Sequence, residues 1–346
     1  MAQVQIADVV VPAEFTAYQV ENSMVSTALF QSGVALPNGE MQSQLQAGAQ
    51  SFTVPFWSDI PDTEADITND NPAILSTPQK ISAAAMVCRK SFVHASWSEM
   101  ALASELSGSD ALVRVQSRVQ AYWDRQWEKR LIASLMGVLY SNVANNGGDM
   151  VLDVHSLAGT VTLPGTNITV PANTFNGLSV INTALTIGDR LSDMQAIAMH
   201  SAIYGEALKN NEIQFFKPSD NSMQIPTYKG MAVIVDDNLT TATAGVYVTI
   251  LFGPGAVGYA VAEPRTGFGT EIWRTPNAGN GGGQTTLHSR FDVAIHPLGF
   301  AFSGASVAGV SPVQAELALA ANWTRAYPGR RLCSVHFSSL LRRRLR

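Results

Sequence analysis

Residues Ser109–Asn142 read SDALVRVQSRVQAYWDRQWEKRLIASLMGVLYSN, the longest periodic stretch in the chain. Leu112, Val115, Val119, Tyr122, Trp123, Leu131, Leu135, Val138 and Leu139 recur near the helical period and mark one apolar stripe. At 1.5 Å per residue, a helix over this stretch spans roughly 45–50 Å. Ser109 or Asp110 supplies the N-terminal cap, and Gly108 stops whatever helix precedes it. Tyr122, Trp123 and Trp127 give the stretch an aromatic middle. Together with the strand signals elsewhere in the chain, it makes an α+β mixture of segregated helices and antiparallel strands.

Upstream, Ser96-Trp97-Ser98-Glu99 has the form of a capping box and predicts a helix reaching about Ser107. Residues 51–95 read as an extended hairpin. Phe52, Val54 and Phe56 alternate on the outgoing limb Ser51–Trp57, and Val87, Phe92 and Val93 lie on the returning limb, about Lys80 to Ala95. The intervening Asp59–Pro78 is irregular and acidic, and a connection that long is unusual inside a compact domain. Residues 1–50 read as an arm with a short helix around Glu14–Gln31.

Downstream, the pattern predicts short strands at Met150–Val154 and Thr160–Leu163, a helix from Thr174 to about Met194, a strand Ala196–Met199 and a helix Ser201–Asn210. Strands follow at Met223–Ile225 and Met231–Val235 around the turn Tyr228-Lys229-Gly230, then at Val246–Phe252, Phe291–Ile295 and Leu332–Phe337.

Composition narrows the function classes. Charged residues make up only 14% of the chain, against roughly 25% in ordinary soluble domains. A surface so poor in charge is expected where other subunits cover it, and also in secreted proteins. The net charge of −5 argues against a general nucleic-acid binder, which needs a basic face. Six arginines (330, 331, 342, 343, 344 and 346) cluster at the C-terminal end, and without them residues 1–329 carry −11. Cys88 and Cys333 have no paired spacing, so neither a disulfide framework nor a zinc pattern follows, and a reducing cytoplasm is the simplest compartment. No signal peptide and no apolar run of about 18 residues is present, so no membrane association is expected.

Chemical motifs are weak. Gly253-Pro254-Gly255-Ala256-Val257-Gly258 matches the dinucleotide fingerprint G-x-G-x-x-G after a strand, which would make the chain a nucleotide-dependent enzyme. Pro264 and Gly267 arrive too soon for the helix that fingerprint requires, so a tight turn explains it better. The six histidines form no metal-ligand spacing. Asp236-Asp237-Asn238 fits a turn after a strand. No cofactor and no catalytic residue is expected.

Three stretches carry a family resemblance. One is Leu106-Ser107-Gly108-Ser109-Asp110 leading into Val119-Gln120-Ala121-Tyr122-Trp123. The second joins Ala198–Tyr204, Ile225–Gly230 and Val233–Asp237. The third joins Leu251–Ala256 with His296–Phe300. In this order and spacing the chain resembles the major capsid proteins of tailed bacteriophages, the Hong Kong 97 fold, over about residues 15–327. The resemblance implies an α+β fold with an N-terminal arm (1–50), an extended hairpin (51–95), and a peripheral domain (96–195) holding the spine helix 109–142. An axial domain (196–300) and a return to the core with a basic tail (301–346) complete it. The implied function is a structural subunit of the virion, assembled in the host bacterial cytoplasm. Hexamers and pentamers of it would build an icosahedral head around double-stranded DNA. Scaffolding, portal and decoration proteins are the implied partners. An encapsulin-like nanocompartment shell shares the fold and is the alternative.

In that setting the hairpin acids Asp59, Asp62, Glu64, Asp66 and Asp70 repel one another unless a neighbour supplies positive charge. Arg114, Arg118, Arg125 and Arg130 on the neighbour's spine helix are the candidate partners. The arginine-rich end departs from the family pattern and is expected to be dispensable, with a chain ending at Ser338 retaining the last strand.

Overall fold

The computed structural model describes residues 28–60, 62–154, 156, 160–162, 169–171, 173–188, 191–216, 225–241, 243, 245–327 and 335–341. Most of the expected helix Glu14–Gln31, together with Leu163, Met223, Cys333 and the six tail arginines, lies outside these residues. The chain opens with α1 (Ala28–Gln31), β1 (Ala35–Pro37) and α2 (Gly39–Leu45), the last capped by Asn38 Oδ1 on the Glu40 and Met41 amides. Next come β2 (Ser51–Trp57), β3 (Ala83–Arg89), β4 (Ser91–Met100), α3 (Ala101–Ser107) and the long α4 (Ala111–Asn145). The middle of the chain holds β5 (Val151–Asp153), β6 (Thr160–Thr162), β7 (Thr169–Pro171), α5 (Gly177–Leu185), β8 (Ala196–Met199) and α6 (Ser201–Lys209). The strands β9 (Ile213–Phe216), β10 (Ile225–Tyr228), β11 (Met231–Val235), β12 (Val246–Phe252), β13 (Val257–Ala262), β14 (Thr270–Thr275) and β15 (Gln284–Pro297) follow. The chain ends with β16 (Phe300–Phe302), α7 (Gln314–Leu317), β17 (Trp323–Arg325) and β18 (Val335–Leu341).

Two sheets organise these elements, and α4 connects them. One sheet orders β1-β13-β15-β14, with β4 along the other side of the long β15. The other orders β5-β18-β12-β8-β11-β10-β9. In the N-terminal half of α4, Trp123 and Trp127 stack at 5.0 Å and press edge-on against Phe291 of β15. In its C-terminal half, Leu131, Leu135, Val138 and Leu139 enter the largest core cluster with Val248, Ile250 and Phe252 of β12 and Phe337 of β18. At 35 residues, α4 is about 52 Å long, so one rigid rod spans both packing layers.

The capping-box expectation fails for a tertiary reason. Ser96–Glu99 belongs to β4, with Ser96 opposite His288 and Glu99 opposite Thr285. Ten paired residues along β15 outweigh one local cap. Glu99 still caps a helix, but a different one. Its Oε2 accepts the Leu112 amide of α4 at 2.8 Å and the Ser104 hydroxyl at 2.9 Å. Asp110 Oδ1 accepts the Val113 amide, and Gly108 ends α3 in the left-handed conformation at φ 66°.

Other boundaries shift. β2 and β3 form a separate two-stranded sheet whose pairing ends at Arg89, and after Lys90 the chain joins the sheet of β15 as β4, so the returning limb is two strands and not one. Within the range expected as one helix, Thr174–Met194, the described residues form α5, begun at the Asn176 cap, and a short 3-10 turn at Leu191–Asp193. The strand expected at Phe291–Ile295 is the 14-residue β15. The last strand, described from Val335, runs past the expected Phe337 to Leu341, between β12 and β5. A cut at Ser338 therefore falls inside it. Gly253–Gly258 is the turn from β12 to β13, with Gly255 at φ 60° and no helix after it, so the dinucleotide fingerprint has no structural basis.

Candidate assembly surface

Asp59, Asp62, Glu64, Asp66 and Asp70 lie in the excursion between β2 and β3, and all five are exposed. The excursion has no helix or strand among its described residues, only local turns such as Asn69 Oδ1 on the Asn71 amide and Asn71 Oδ1 on the Ala73 amide. The same segment exposes large apolar side chains: Trp57 (70%), Ile67 (87%) and Leu75 (83%), with Ile60, Ile74 and Ile81 beside them. A monomer rarely presents so many large apolar groups on one extension, and such a patch marks a contact with another molecule. Sequence reading singled out the acids and passed over these residues, because isolated apolar residues in a loop carry no periodicity. Their density in an otherwise polar excursion was the available signal.

The four arginines divide into two groups. Successive residues turn about 100° on a helix, so Arg114, Arg118 and Arg125 share one side within about 40°. Arg130 lies about 160° away by the same geometry, on the side that faces the chain's interior. There its guanidinium donates to the Pro312 carbonyl at 3.2 and 3.3 Å and to Ser91 Oγ at 3.1 Å, and burial lowers its pKa. Arg114, Arg118 and Arg125 remain partly exposed, opposite the buried Trp123 and Trp127. The acids and these arginines are not brought together within one chain by any ion pair among the described residues.

The root of the excursion is firmly held. Lys90, almost fully buried between β3 and β4, donates its Nζ to the carbonyls of Leu45 (3.1 Å) and Ala47 (2.5 Å) at the end of α2. Burial lowers its pKa while nearby Asp292 raises it. Cys88 beside it is buried, and desolvation pushes its thiol up to about 12, so it packs as an inert small side chain. Phe56 meets Tyr327 edge-on at 4.9 Å. Among the described residues, no cluster of three or more His, Cys, Asp or Glu could hold a metal, and no helix is long and apolar enough to cross a membrane.

The chain is 34% identical over 352 aligned positions to the major capsid protein of Bacillus phage SPP1, covering 99% of each protein. It belongs to the phage major capsid proteins. No family model matches it. Its fold is the Hong Kong 97 capsid type, seen in solved phage heads of very low identity. The capsid of Ralstonia phage GP4 matches at TM-score 0.57 and 9% identity, over 97% of both chains. The cyanophage Pam1 capsid matches at TM-score 0.58 and 11% identity, over 95% of this chain and 97% of the other. The major capsid protein described here is thus a structural component of the virion and not an enzyme, and the encapsulin and nucleotide-enzyme readings give way to it. Capsid proteins act by assembling into multimeric shells, so the exposed excursion and the outward arginines count as candidate contacts between copies.

Proposed function

We propose that this capsid protein forms hexamers and pentamers that tile an icosahedral head around double-stranded DNA, and that residues 51–95 lie across a neighbouring copy. The observation that carries this reading is the excursion itself, whose acids and large apolar side chains are exposed together on a fixed stem. On the neighbour, Arg114, Arg118 and Arg125 form the complementary face of the spine helix; Arg130 drops out of that set because Pro312 and Ser91 already engage it. Apolar burial of Ile67 and Leu75 supplies most of the affinity, at about 25 cal/mol per Å². The charges set register and encounter, since each exposed pair contributes only about 0–1 kcal/mol.

In the same reading, residues 96–195 with the spine helix form the peripheral domain, residues 196–300 pack around the capsomer axis, and 301–346 return to the core. Scaffolding, portal and decoration proteins are the proposed partners, and the host bacterial cytoplasm is the site of assembly. The net −11 of residues 1–329 keeps the body of the shell from adhering to packaged DNA. The test is a variant carrying Asn or Gln at the five tip acids, compared with Ile67→Ser/Leu75→Ser, by electron microscopy across a salt series. Both should fold as subunits and assemble poorly, the charge variant losing the salt dependence of wild type. Assembly of both at wild-type yield would refute the contact.

A further inference from the structure

Glu128 occupies the middle of α4, where the helix passes from one sheet to the other, and it is 1% exposed. Its neighbours on the helix are Trp127 and Leu131, both buried. A lone carboxylate there is costly unless it is neutralised or fully hydrogen-bonded. Glu128 Oε1 accepts the amide of Leu29 at 2.8 Å, and Oε2 accepts that of Phe30 at 3.3 Å, both from α1. Its carboxyl group also meets the carboxyl group of Asp236, the residue that follows β11. Asp236 is 3% exposed. Its Oδ1 accepts the Asn238 amide and the Asn238 side-chain N–H, each at 2.8 Å. Its Oδ2 is buried and has no hydrogen-bond donor among the described residues.

Among the described residues, the surroundings hold no cation for this pair. From α1 come backbone amides and the apolar Leu29 and Phe30. On α4, Lys129 points to solvent and Arg130 is engaged by Pro312 and Ser91. Beyond β11, Asp237 faces His200 at 3.8 Å and accepts the Ser201 amide, so both are turned to each other. Two buried carboxylates in contact cannot both stay charged.

We propose that Glu128 and Asp236 share one proton and form a pH-sensitive latch that fastens α1 to α4 and the end of β11. With the proton in place, the Glu128 hydroxyl donates to Asp236 Oδ2 and its remaining lone pairs serve the α1 amides. Without it, two carboxylates repel in a buried site, and the joint opens at its weakest element, the four-residue α1. Burial above all, then the Asp236 hydrogen bond, raises Glu128 from 4.5 to about 8, while the Leu29 and Phe30 amides pull the other way. The folded pKa lies above the ordinary one, so the latch is fully made below about pH 4.5 and is lost as pH rises through about 8. The neutral range therefore falls on its slope, where a modest rise in pH loosens α1.

The test is hydrogen exchange by mass spectrometry on the intact chain, following the peptide that spans residues 28–34 from pH 6 to pH 9, corrected for the intrinsic exchange rate. Wild type should lose at least tenfold of its protection there. Glu128→Gln should stay protected throughout, because its carbonyl accepts an α1 amide and its N–H₂ donates to Asp236. Asp236→Asn should also be flat, since its amide donates to an ionised Glu128. Infrared spectra give a second readout that needs no folded variant: wild type at pH 7 should show a protonated-carboxyl band that disappears at high pH. Unchanged wild-type protection from pH 6 to 9, the same fall in Glu128→Gln, or no such band at pH 7 would each overturn the latch.

Discussion

Gly137 on α4 lies directly beneath Trp323 of β17, with the indole in the space a side chain at 137 would need. Trp323 is 1% exposed and donates its Nε1–H to the Leu317 carbonyl of α7 at 2.7 Å. One turn further along α4, Ser141 Oγ donates to the Trp323 carbonyl at 2.7 Å. The long helix is thereby tied to α7 and β17 through one tryptophan. His296 and Phe302 cover that tryptophan from the side, at 5.8 and 5.0 Å between ring centres.

Gly137→Ala should therefore run against the usual rule. Alanine in a helix interior normally stabilises by about 1 kcal/mol over glycine. Here a Cβ would overlap both the Leu317 carbonyl oxygen and the Trp323 indole. Overpacking of this kind costs about 1–3 kcal/mol, and the Trp323–Leu317 hydrogen bond is strained as well. The expected outcome is a lower denaturation midpoint for the soluble subunit. A midpoint at or above wild type would show that the indole moves aside freely.

Trp123→Ala should be more damaging. Trp123 is 3% exposed, stacks on Trp127, and donates Nε1–H to Ser289 Oγ of β15 at 2.9 Å. Truncating a buried aromatic of this size costs about 3–5 kcal/mol, a large part of a typical domain's stability. Ser289→Ala, which removes only the acceptor, should cost about 1 kcal/mol. Soluble yield and particle formation report both. A Trp123→Ala variant with wild-type yield would mean that the sheet contact contributes little.

Much of this architecture was legible in sequence, and the misses share one cause. The start of α4 at Asp110 and the stop at Gly108 are local chemistry, so periodicity and capping rules located them. Strands β8, β11 and β12 are continuous apolar runs and came out residue for residue. Residues 284–290, QTTLHSR, hold one apolar side chain and no strand alternation, so this half of β15 is set by its pairing with β4 and β14 on its two sides. Ser96–Glu99 was misread because its partner strand lies 190 residues away in sequence. Arg130 and Glu128 look like ordinary charges on a helix. Their burial depends on Pro312, Leu29 and Asp236, which no local pattern connects to α4.

His296 predicts an acid sensitivity. It is buried, and its Nε2–H donates to the Phe300 carbonyl at 2.7 Å. Burial lowers its pKa from 6.5 to about 4, with the Phe300 hydrogen bond opposing. The unfolded chain then binds more protons than the folded one between those two values. Stability should fall as pH drops from about 6.5 toward 4, by up to about 3 kcal/mol from this residue. Carboxylates also titrate in that range, so the difference between wild type and His296→Gln isolates the term. Parallel pH profiles for the two proteins would show that His296 charges without penalty.

At the C-terminal end the last described strand stops at Leu341, and the residues beyond it are expected to be dispensable. Strand β18 lies between β12 and β5, with Val335 and Phe337 fully buried. Ending the chain after Leu341 removes Arg342, Arg343, Arg344 and Arg346 and leaves every pair of this strand intact. That truncation should give wild-type yield of soluble subunit and of particles. Ending it after Ser338 deletes the pairs Ser339 with Val248, Leu340 with Tyr247 and Leu341 with Val246, and exposes that stretch of β12. A buried backbone donor or acceptor left without a partner costs about 1–3 kcal/mol, so this chain should be measurably less stable and assemble poorly. Ending after Tyr327 removes the whole strand and should abolish soluble expression. Equal behaviour of the chains ending at Ser338 and Leu341 would show that the strand's last three pairs are not needed. Particles of normal shape but without DNA, formed by the chain ending at Leu341, would instead assign the four arginines to the phosphates of the packaged genome, a contact that should weaken steeply as salt rises.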